Sequence, residues 1–426
     1  MSEKLTSYID LIKQHICRDF HGMYREAGEG LPYPFLTPGS EQYDDVLWDW
    51  DSWWSNIALR QVLKEVGESA EYEKALPYER GCVQNFLSFA KGPGFVPIVV
   101  GRGGFTMPED IRNINMHKPC LAQHAAFLIQ QDGDAEWFRE DFYFLQLFVN
   151  FYHNHHRHPC GLYYWETDKA IGVDNDPCTY GRPAKSSGSI YLNTMMYREL
   201  LATAWIAEQL NLDEIAGQYR QDAENLKQAI QEYCWDERDG FFYSVDLNIR
   251  PDSELQEDWG HNWGLHCGYP VDWPCLIQRI GVWSGFMGLW SGVATDEQAE
   301  RVVQEHYYDS ETFGAEYGVR TLSKMEKMYN VRGMGNPSSW LGPIWGIANY
   351  MTFRGFVRYR QNEAARDLAE KTIRLFGRDF ERFGALHEYY QPDNGEPILN
   401  KGFQNWNYLV LNMIAWLEGD DVVEEF

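Results

Sequence analysis

Apolar residues recur at three- and four-residue spacing through most of this chain, interrupted by long stretches rich in glycine, proline and aromatic rings. That alternation constrains the fold most, because a face repeating every 3.6 residues suits a helix and not a strand. The spacing predicts twelve helices, over 3–20, 50–66, 72–90, 117–131, 134–153, 189–210, 212–233, 274–290, 295–308, 339–359, 361–380 and 403–418. QYRQDAENLKQAIQEYCW and NEAARDLAEKTIRLFGRDF carry the clearest signal, with good helix formers around an apolar stripe. Six long loops lie between them, at 21–49, 91–116, 154–188, 235–273, 309–338 and 381–402. They follow alternate helices, which puts them on one end of a ring of helical hairpins. Six inner and outer pairs make an all-α (α/α)6 toroid. No linker or internal repeat divides the chain, so residues 1–426 read as one domain.

Composition removes several classes of function. The formal charge of −26 repels polyanions, which argues against nucleic acid as a partner. The first twenty residues lack the apolar core of a signal peptide and read as an amphipathic helix, with Leu5, Ile9, Leu11, Ile12 and Ile16 near one face. No window is apolar enough to span a membrane. Eight scattered cysteines without a CxxC pair suit a reduced, cytoplasmic protein. The outlier is aromatic content, 15% with 17 tryptophans, since flat rings with polar edges suit ring-shaped polar ligands as well as packing.

The loops carry the chemistry. VLWDWDSWW, residues 46–54, sets Asp49 and Asp51 between indoles, where an ionised carboxylate is costly without partners. Asp174 sits in GVDNDP, a loop restricted by Gly172 and Pro177, and Glu388 sits in HEYYQP behind His387. Two carboxylates facing each other across an aromatic pocket are what glycoside hydrolysis needs, one donating a proton to the leaving oxygen and the other ionised. A lone acidic loop residue is ordinarily solvated or a cap; the surrounding Trp and Tyr favour chemistry here.

WDWDSWW, GVDNDP, HEYY and the following GFQNW resemble, in that order, the motifs of a clan of inverting α-glycosidases that includes trehalases and glycoside hydrolase family 63. PYPFLTPG, DNDPCTYGRP and SSGSIYLN add a closer similarity to the bacterial mannosylglycerate and glucosylglycerate hydrolases of that family. The resemblance implies Asp174 as general acid, Glu388 as general base activating water, and Trp50 with Asp51 at the −1 sugar subsite. Further candidate substrate contacts are Tyr33, Trp48, Gln123, Gly172, Tyr191, Gln404 and Trp406, together with Trp340 and Trp345, which flank a Gly-Pro and suit a wall of the sugar site, core packing being the equal alternative for Trp345. Arg182 and Lys185 are the cations expected for a glycerate carboxylate, although relatives carry arginine at the Lys185 position and lysine lacks its bidentate geometry. Asp49 is expected to cap the helix beginning near residue 50, with Trp53 and Trp54 in the toroid wall. The substrate is then a small α-glucoside or α-mannoside, with glucosylglycerate or mannosylglycerate as leading candidates and a neutral disaccharide such as trehalose, kojibiose or nigerose as the alternative. No cofactor and no metal are expected; the oligomeric state, a homo-oligomer included, stays open.

Other features read more plainly. HNHHRHP, residues 153–159, has four histidines at irregular spacing and reads as an exposed helix end, not a metal cluster. YDDVLWD falls short of a DDxxD magnesium motif because position 48 is Trp. GRGGF, residues 101–105, lacks the strand–helix context of a phosphate loop and reads as a pocket-edge loop. An (α/α)6 sugar isomerase or epimerase would instead rely on histidine, with His124, His261 and His387 as candidates. A non-catalytic sugar-binding protein would use the same aromatic walls.

Overall fold

The computed structural model describes residues 2–249, 273–332 and 338–426. Twelve α-helices occur among them: α1 Glu3–Asp19, α2 Asp49–Val66, α3 Ser69–Ala90, α4 Leu121–Asp132, α5 Phe142–His155 and α6 Ile190–Gln209, then α7 Asp213–Tyr233, α8 Met287–Ser291, α9 Asp296–Val302, α10 Gly346–Arg358, α11 Asn362–Phe383 and α12 Val410–Glu418. The even-numbered helices touch in sequence, α2 to α4, α6, α8, α10 and α12, and α12 closes back on α2. They form the inner ring and are buried nearly all round; 15 of the 18 residues of α2 are buried. The odd-numbered helices lie outside and bury a single stripe. In α1 that stripe is Leu5, Tyr8, Ile9, Ile12 and Ile16, packed on α11. The Tyr8 ring sits where a Cβ on Gly377 would come within 2.2 Å, so the two helices approach only because residue 377 is glycine. The chain is thus an all-α (α/α)6 toroid. No described helix is long and apolar enough to cross a membrane.

Where helix limits differ from the spacing, local chemistry decides. The expected helix 134–153 starts only at Phe142, because Gly133 ends α4 in the left-handed region and Asp134 Oδ1 turns the chain by accepting from the Glu136 amide. The expected helix 274–290 is mostly extended: Leu276–Ile277 pairs with Val245–Asp246, and helix begins with a 3-10 turn at Trp283. Pro274 opens that stretch, and a proline cannot donate to a helical ladder. Residues 339–345 are likewise not helical, since Gly342, at φ +130°, and Pro343 precede the short strand Ile344–Trp345. The helix expected from 117 waits until Leu121, beyond Pro119. Helix α9 continues as a π-helical turn through Val303–Tyr307.

Short two- and three-residue strands tie the loops together at one end of the ring. Val46–Trp48 pairs with Val99–Gly101, and Tyr389–Tyr390 pairs with both Ile344–Trp345 and Pro397–Leu399. These strands fix where each loop enters its inner helix, which is what positions the site. The GRGGF segment is a tight turn packed on Gly30 and held by an Arg102–Asp45 ion pair of 2.8 Å; it stands beside the site without lining it.

Candidate active site

A cavity of about 590 Å³ opens where the loops meet. Tyr43, Trp48, Trp50 and Asp51 come from the first loop and the start of α2; Lys118 precedes α4. Asp168, Lys169, Ala170, Gly172, Asp174 and Tyr180 come from the third loop, with Ser338, Trp345, Glu388 and Trp406 completing the wall. Segments far apart in sequence therefore share one pocket because each precedes, or begins, an inner helix.

The floor is built at the first turn of α2. The Asp49 amide donates to Ile98 O (3.0 Å), which starts the helix directly after the Val46–Trp48 strand. Asp49 does not cap α2. Its carboxylate accepts from the Lys118 amide (2.9 Å) and Lys118 Nζ (2.8 Å) across 69 positions of sequence. Both side chains are almost wholly buried, and an uncompensated charge there would be unfavourable, so each secures the other. Lys118 Nζ also lies 5.7 Å from the centre of the Trp50 ring. Gly172 is at φ +89°, and a Cβ there would meet Lys118 Cε at 2.5 Å and the Trp50 ring at 3.2 Å; only glycine lets the Asp174 loop pass this close.

Asp51, on the same turn, accepts from Asn405 Nδ2 (2.6 Å), and Asn405 in turn accepts from Ser55 Oγ (2.9 Å). Burial, then the charge of Asp49, pushes the Asp51 carboxyl up to about 8, with Lys118 and Asn405 opposing. Trp50 is 2% exposed and is backed by Trp406, Tyr191 and Trp340 at ring separations of 5.2, 5.7 and 6.2 Å. Trp53 and Trp54 lie fully buried in the wall of the toroid, as expected.

Asp174 and Glu388 reach the cavity on separate loops. Burial raises the Asp174 carboxyl, against a hydrogen bond from Ser338. The loop is anchored one residue on, where Asn175 Oδ1 accepts from the Trp340 amide (2.7 Å). Glu388 accepts from Tyr43 Oη (2.8 Å) on one oxygen and from Asn400 Nδ2 on the other. Burial pushes its carboxyl up to about 7, Tyr43 and Asn400 favour the ionised form, and the Asp174 charge adds to the rise. Next to it, Tyr389 stacks on Trp345 at 4.7 Å and Trp345 on Trp340 at 4.2 Å, a three-ring stack that holds the strand pair flat.

Eight residues singled out from the sequence line this cavity: Trp48, Trp50, Asp51, Gly172, Asp174, Trp345, Glu388 and Trp406. The others stand outside its wall. Tyr191 and Trp340 form the layer behind Trp50 and Trp345. Gln123 bonds to Pro119 O and Met195 O, joining α4 to α6. Tyr33 is held by bonds from its backbone to the Asn85 side chain of α3 and is 41% exposed. Gln404 donates to Asp19 O at the end of α1. Arg182 pairs with Asp246, and Lys185 lies 3.4 Å from Glu166. Of the isomerase histidines, His387 is bound to Asp379 at 2.9 Å and His124 is buried within α4, and neither lines the cavity; His261 lies outside the described residues. Among the described residues no group of three or more His, Cys, Asp or Glu side chains has metal-binding geometry.

Sequence reading missed Tyr43, Lys118, Asn400 and Asn405. Tyr43 stood in a quoted loop only five positions before Trp48, and Asn405 between the chosen Gln404 and Trp406. Asn405 has φ +32°, an unusual angle that turns its side chain to Asp51 while Gln404 points to α1.

Comparison with known proteins agrees with this architecture. A structure of the family 63 mannosylglycerate hydrolase from Thermus thermophilus in complex with glucose superposes with a TM-score of 0.64 at 18% identity, covering 95% of this chain and 98% of that one. Mannosylglycerate hydrolase MGH1 of Selaginella moellendorffii is 26% identical over 136 residues, 32% of this chain and 24% of its own length. The cytosolic neutral trehalase of Kluyveromyces lactis is 23% identical over 219 residues, 49% of this chain and 25% of its own. The chain thus aligns with about a quarter of each of these two relatives. The model of the mannosylglycerate hydrolase MGH1-like glycoside hydrolase domain matches residues 44–407, and the span runs from the loop before Trp48 to the segment after Glu388. The resemblance carried by WDWDSWW, GVDNDP and HEYY therefore holds at the level of the family: this chain belongs to the mannosylglycerate hydrolase MGH1-like glycoside hydrolases.

Proposed function

We propose that the protein is an inverting α-glycosidase acting on a small α-mannoside or α-glucoside, with mannosylglycerate or glucosylglycerate as the substrate. One observation carries this reading: Asp174 and Glu388 enter one aromatic-walled cavity from separate loops, in a chain of this family. Asp174, whose carboxyl is raised by burial, donates its proton to the glycosidic oxygen as the bond to the anomeric carbon breaks. Glu388, ionised, takes a proton from a water that attacks the opposite face of the ring. The product is the β-sugar, and an inverting pair of carboxyls stands about 6.5–9.5 Å apart to admit that water. Trp50 supplies an apolar face for the sugar, and Asp51 accepts from its hydroxyls.

The base needs its negative charge, so activity should rise with pH through about 7, where Glu388 ionises. Tyr43→Phe removes a donor that favours the carboxylate. The expected result is an acidic limb of kcat/KM displaced to higher pH, with the basic limb unmoved; a limb that stays in place argues against Glu388 as the base.

An anionic aglycone needs a cation at the cavity. Arg182 and Lys185 are engaged with Asp246 and Glu166, and Lys118 with Asp49. Lys169, exposed on the wall, is the remaining cation among the described lining residues. Its turn is fixed by Asn115, which accepts from the Glu166 amide (2.8 Å) and donates to Lys169 O (2.7 Å). Lys169→Gln should raise KM for mannosylglycerate by roughly tenfold, the value of one partly solvated charge contact, and leave KM for the glycerol glycoside unchanged. Equal changes for both would exclude Lys169 as the carboxylate partner.

The reading as a whole is tested by a hydrolysis panel of mannosylglycerate, glucosylglycerate, trehalose, kojibiose and nigerose. Turnover of the glycerate glycosides above the neutral disaccharides is expected. Preference for a disaccharide would make the protein a neutral α-glucosidase, and binding without turnover would make it a sugar-binding protein.

A further inference from the structure

Asp379, 3% exposed near the end of α11, turns its carboxylate toward the loop that carries Glu388. Its Oδ2 accepts from the His387 amide (2.9 Å) and from Tyr390 Oη (2.8 Å). The His387 ring lies against both oxygens, with Nδ1 3.0 Å from Oδ1 and 2.9 Å from Oδ2. Nδ1 is the donor there, because an ionised carboxylate only accepts. The His387 amide is shared with Tyr390 Oη (2.9 Å), which closes a ring of bonds around it. Asn407 Nδ2 then donates to His387 O (2.7 Å), and the Glu388 amide donates to Leu399 O (3.0 Å). Each polar backbone atom from His387 N to Glu388 N is therefore held.

The strand ladder does not do this by itself. Tyr389–Tyr390 pairs with Ile344–Trp345 on one edge, but its register with Pro397–Leu399 shifts between Tyr389 and Tyr390. An irregular pairing one residue beyond Glu388 leaves the direction of its side chain to other contacts. Asp379 supplies them from a helix outside the inner ring, and neither it nor Tyr390 lines the cavity. A buried carboxylate is costly unless donors satisfy it, and an apolar residue would serve packing as well. The donors that satisfy this one belong to the residue before Glu388 and the residue two after it.

We propose that Asp379 is the positioning residue of the base: it fixes His387 and Tyr390, and through them the backbone from which the Glu388 carboxylate reaches the cavity. The proposal rests on the reading of Glu388 as general base. Tyr43 and Asn400 hold the two carboxylate oxygens, and Asp379 holds the stem behind them. A base displaced from the line of the attacking water leaves substrate binding intact but takes the proton poorly, so the loss falls on kcat.

A double-mutant cycle on kcat tests this, with the panel glycoside that the unaltered enzyme turns over fastest. Sodium azide is added to the Glu388→Ala proteins as a nucleophile that needs no base. Asp379→Asn should lower kcat by about thirtyfold, within the hundredfold that a misplacement of about 1 Å can cost. KM should stay within about twofold, because the sugar contacts at Trp50 and Asp51 are untouched. In the Glu388→Ala background the same substitution should cost less than about twofold, since no base is left to place. Tyr390→Phe deletes one hydroxyl from the same network and should lower kcat by about fivefold, the weight of one hydrogen bond, again only where Glu388 is present. It carries the test if Asp379→Asn does not fold. Equal losses in the two backgrounds, or a loss that falls on KM, would make Asp379 a packing residue and overturn the proposal while leaving Glu388 as the base. Near wild-type turnover by Glu388→Ala alone would remove the base and the role of Asp379 with it.

Discussion

Replacing Asp174 by Asn or Glu388 by Gln is expected to lower turnover of a glycerate glycoside by about a thousandfold, within the range for loss of a positioned general acid or base. A thousandfold is about 4 kcal/mol of transition-state stabilisation, a large share of what a site of this kind supplies. The two losses should separate when the leaving group is changed. A glycerate alkoxide leaves poorly and needs the Asp174 proton, whereas a 4-nitrophenolate leaves without one. Asp174→Asn should therefore recover most of its activity on the 4-nitrophenyl glycoside, and Glu388→Gln should not, because water still has to be activated. Equal loss on both substrates would remove the acid role from Asp174. Near wild-type activity in either variant would remove both from the mechanism.

The second large effect concerns stability. Asp49 and Lys118 are buried at 0% and 2% side-chain exposure with bonds of 2.8 and 3.0 Å between them. Lys118→Met leaves the Asp49 carboxylate buried with only the Lys118 amide, and loss of one partner of such a pair costs about 3–5 kcal/mol. Lys118→Met combined with Asp49→Leu removes both charges and should recover much of that loss, so urea unfolding of the single and double variants isolates the pair. A double variant no more stable than the single would show that the packing of Lys118 under Trp50 and Gly172 matters more than its charge. A catalytic consequence follows as well. Lys118 opposes the upward shift of Asp51, so its removal should leave Asp51 protonated to higher pH and weaken sugar binding.

How much of this was legible in the sequence depends on whether the signal was local. Helix type came through because apolar spacing is a property of neighbours, and all twelve expected segments contain a helix, although Pro274 and Pro343 shorten two of them. Trp50, Asp51, Asp174 and Glu388 stand out because each sits in a short motif, and all four line the cavity. The supporting partners do not stand out. An acid beside a helix start reads as a cap, and the partner that claims Asp49 instead lies 69 residues away in NMHKPC, a segment without periodicity. Asn405 and Tyr43 depended on side-chain direction, set by an unusual backbone angle in one case and by the loop's path over Trp48 in the other. Arg182 and Lys185 looked suited to glycerate by proximity to Asp174, but proximity in sequence did not reveal that Asp246 and Glu166 would engage them.

The central claim is that Glu388 activates water across the ring from an acid at Asp174. The anomer released first from mannosylglycerate, followed by proton NMR faster than mutarotation, tests it most directly. The account predicts β-mannose accumulating first and then equilibrating to the α form. Initial release of α-mannose would mean retention through a covalent intermediate and would contradict it.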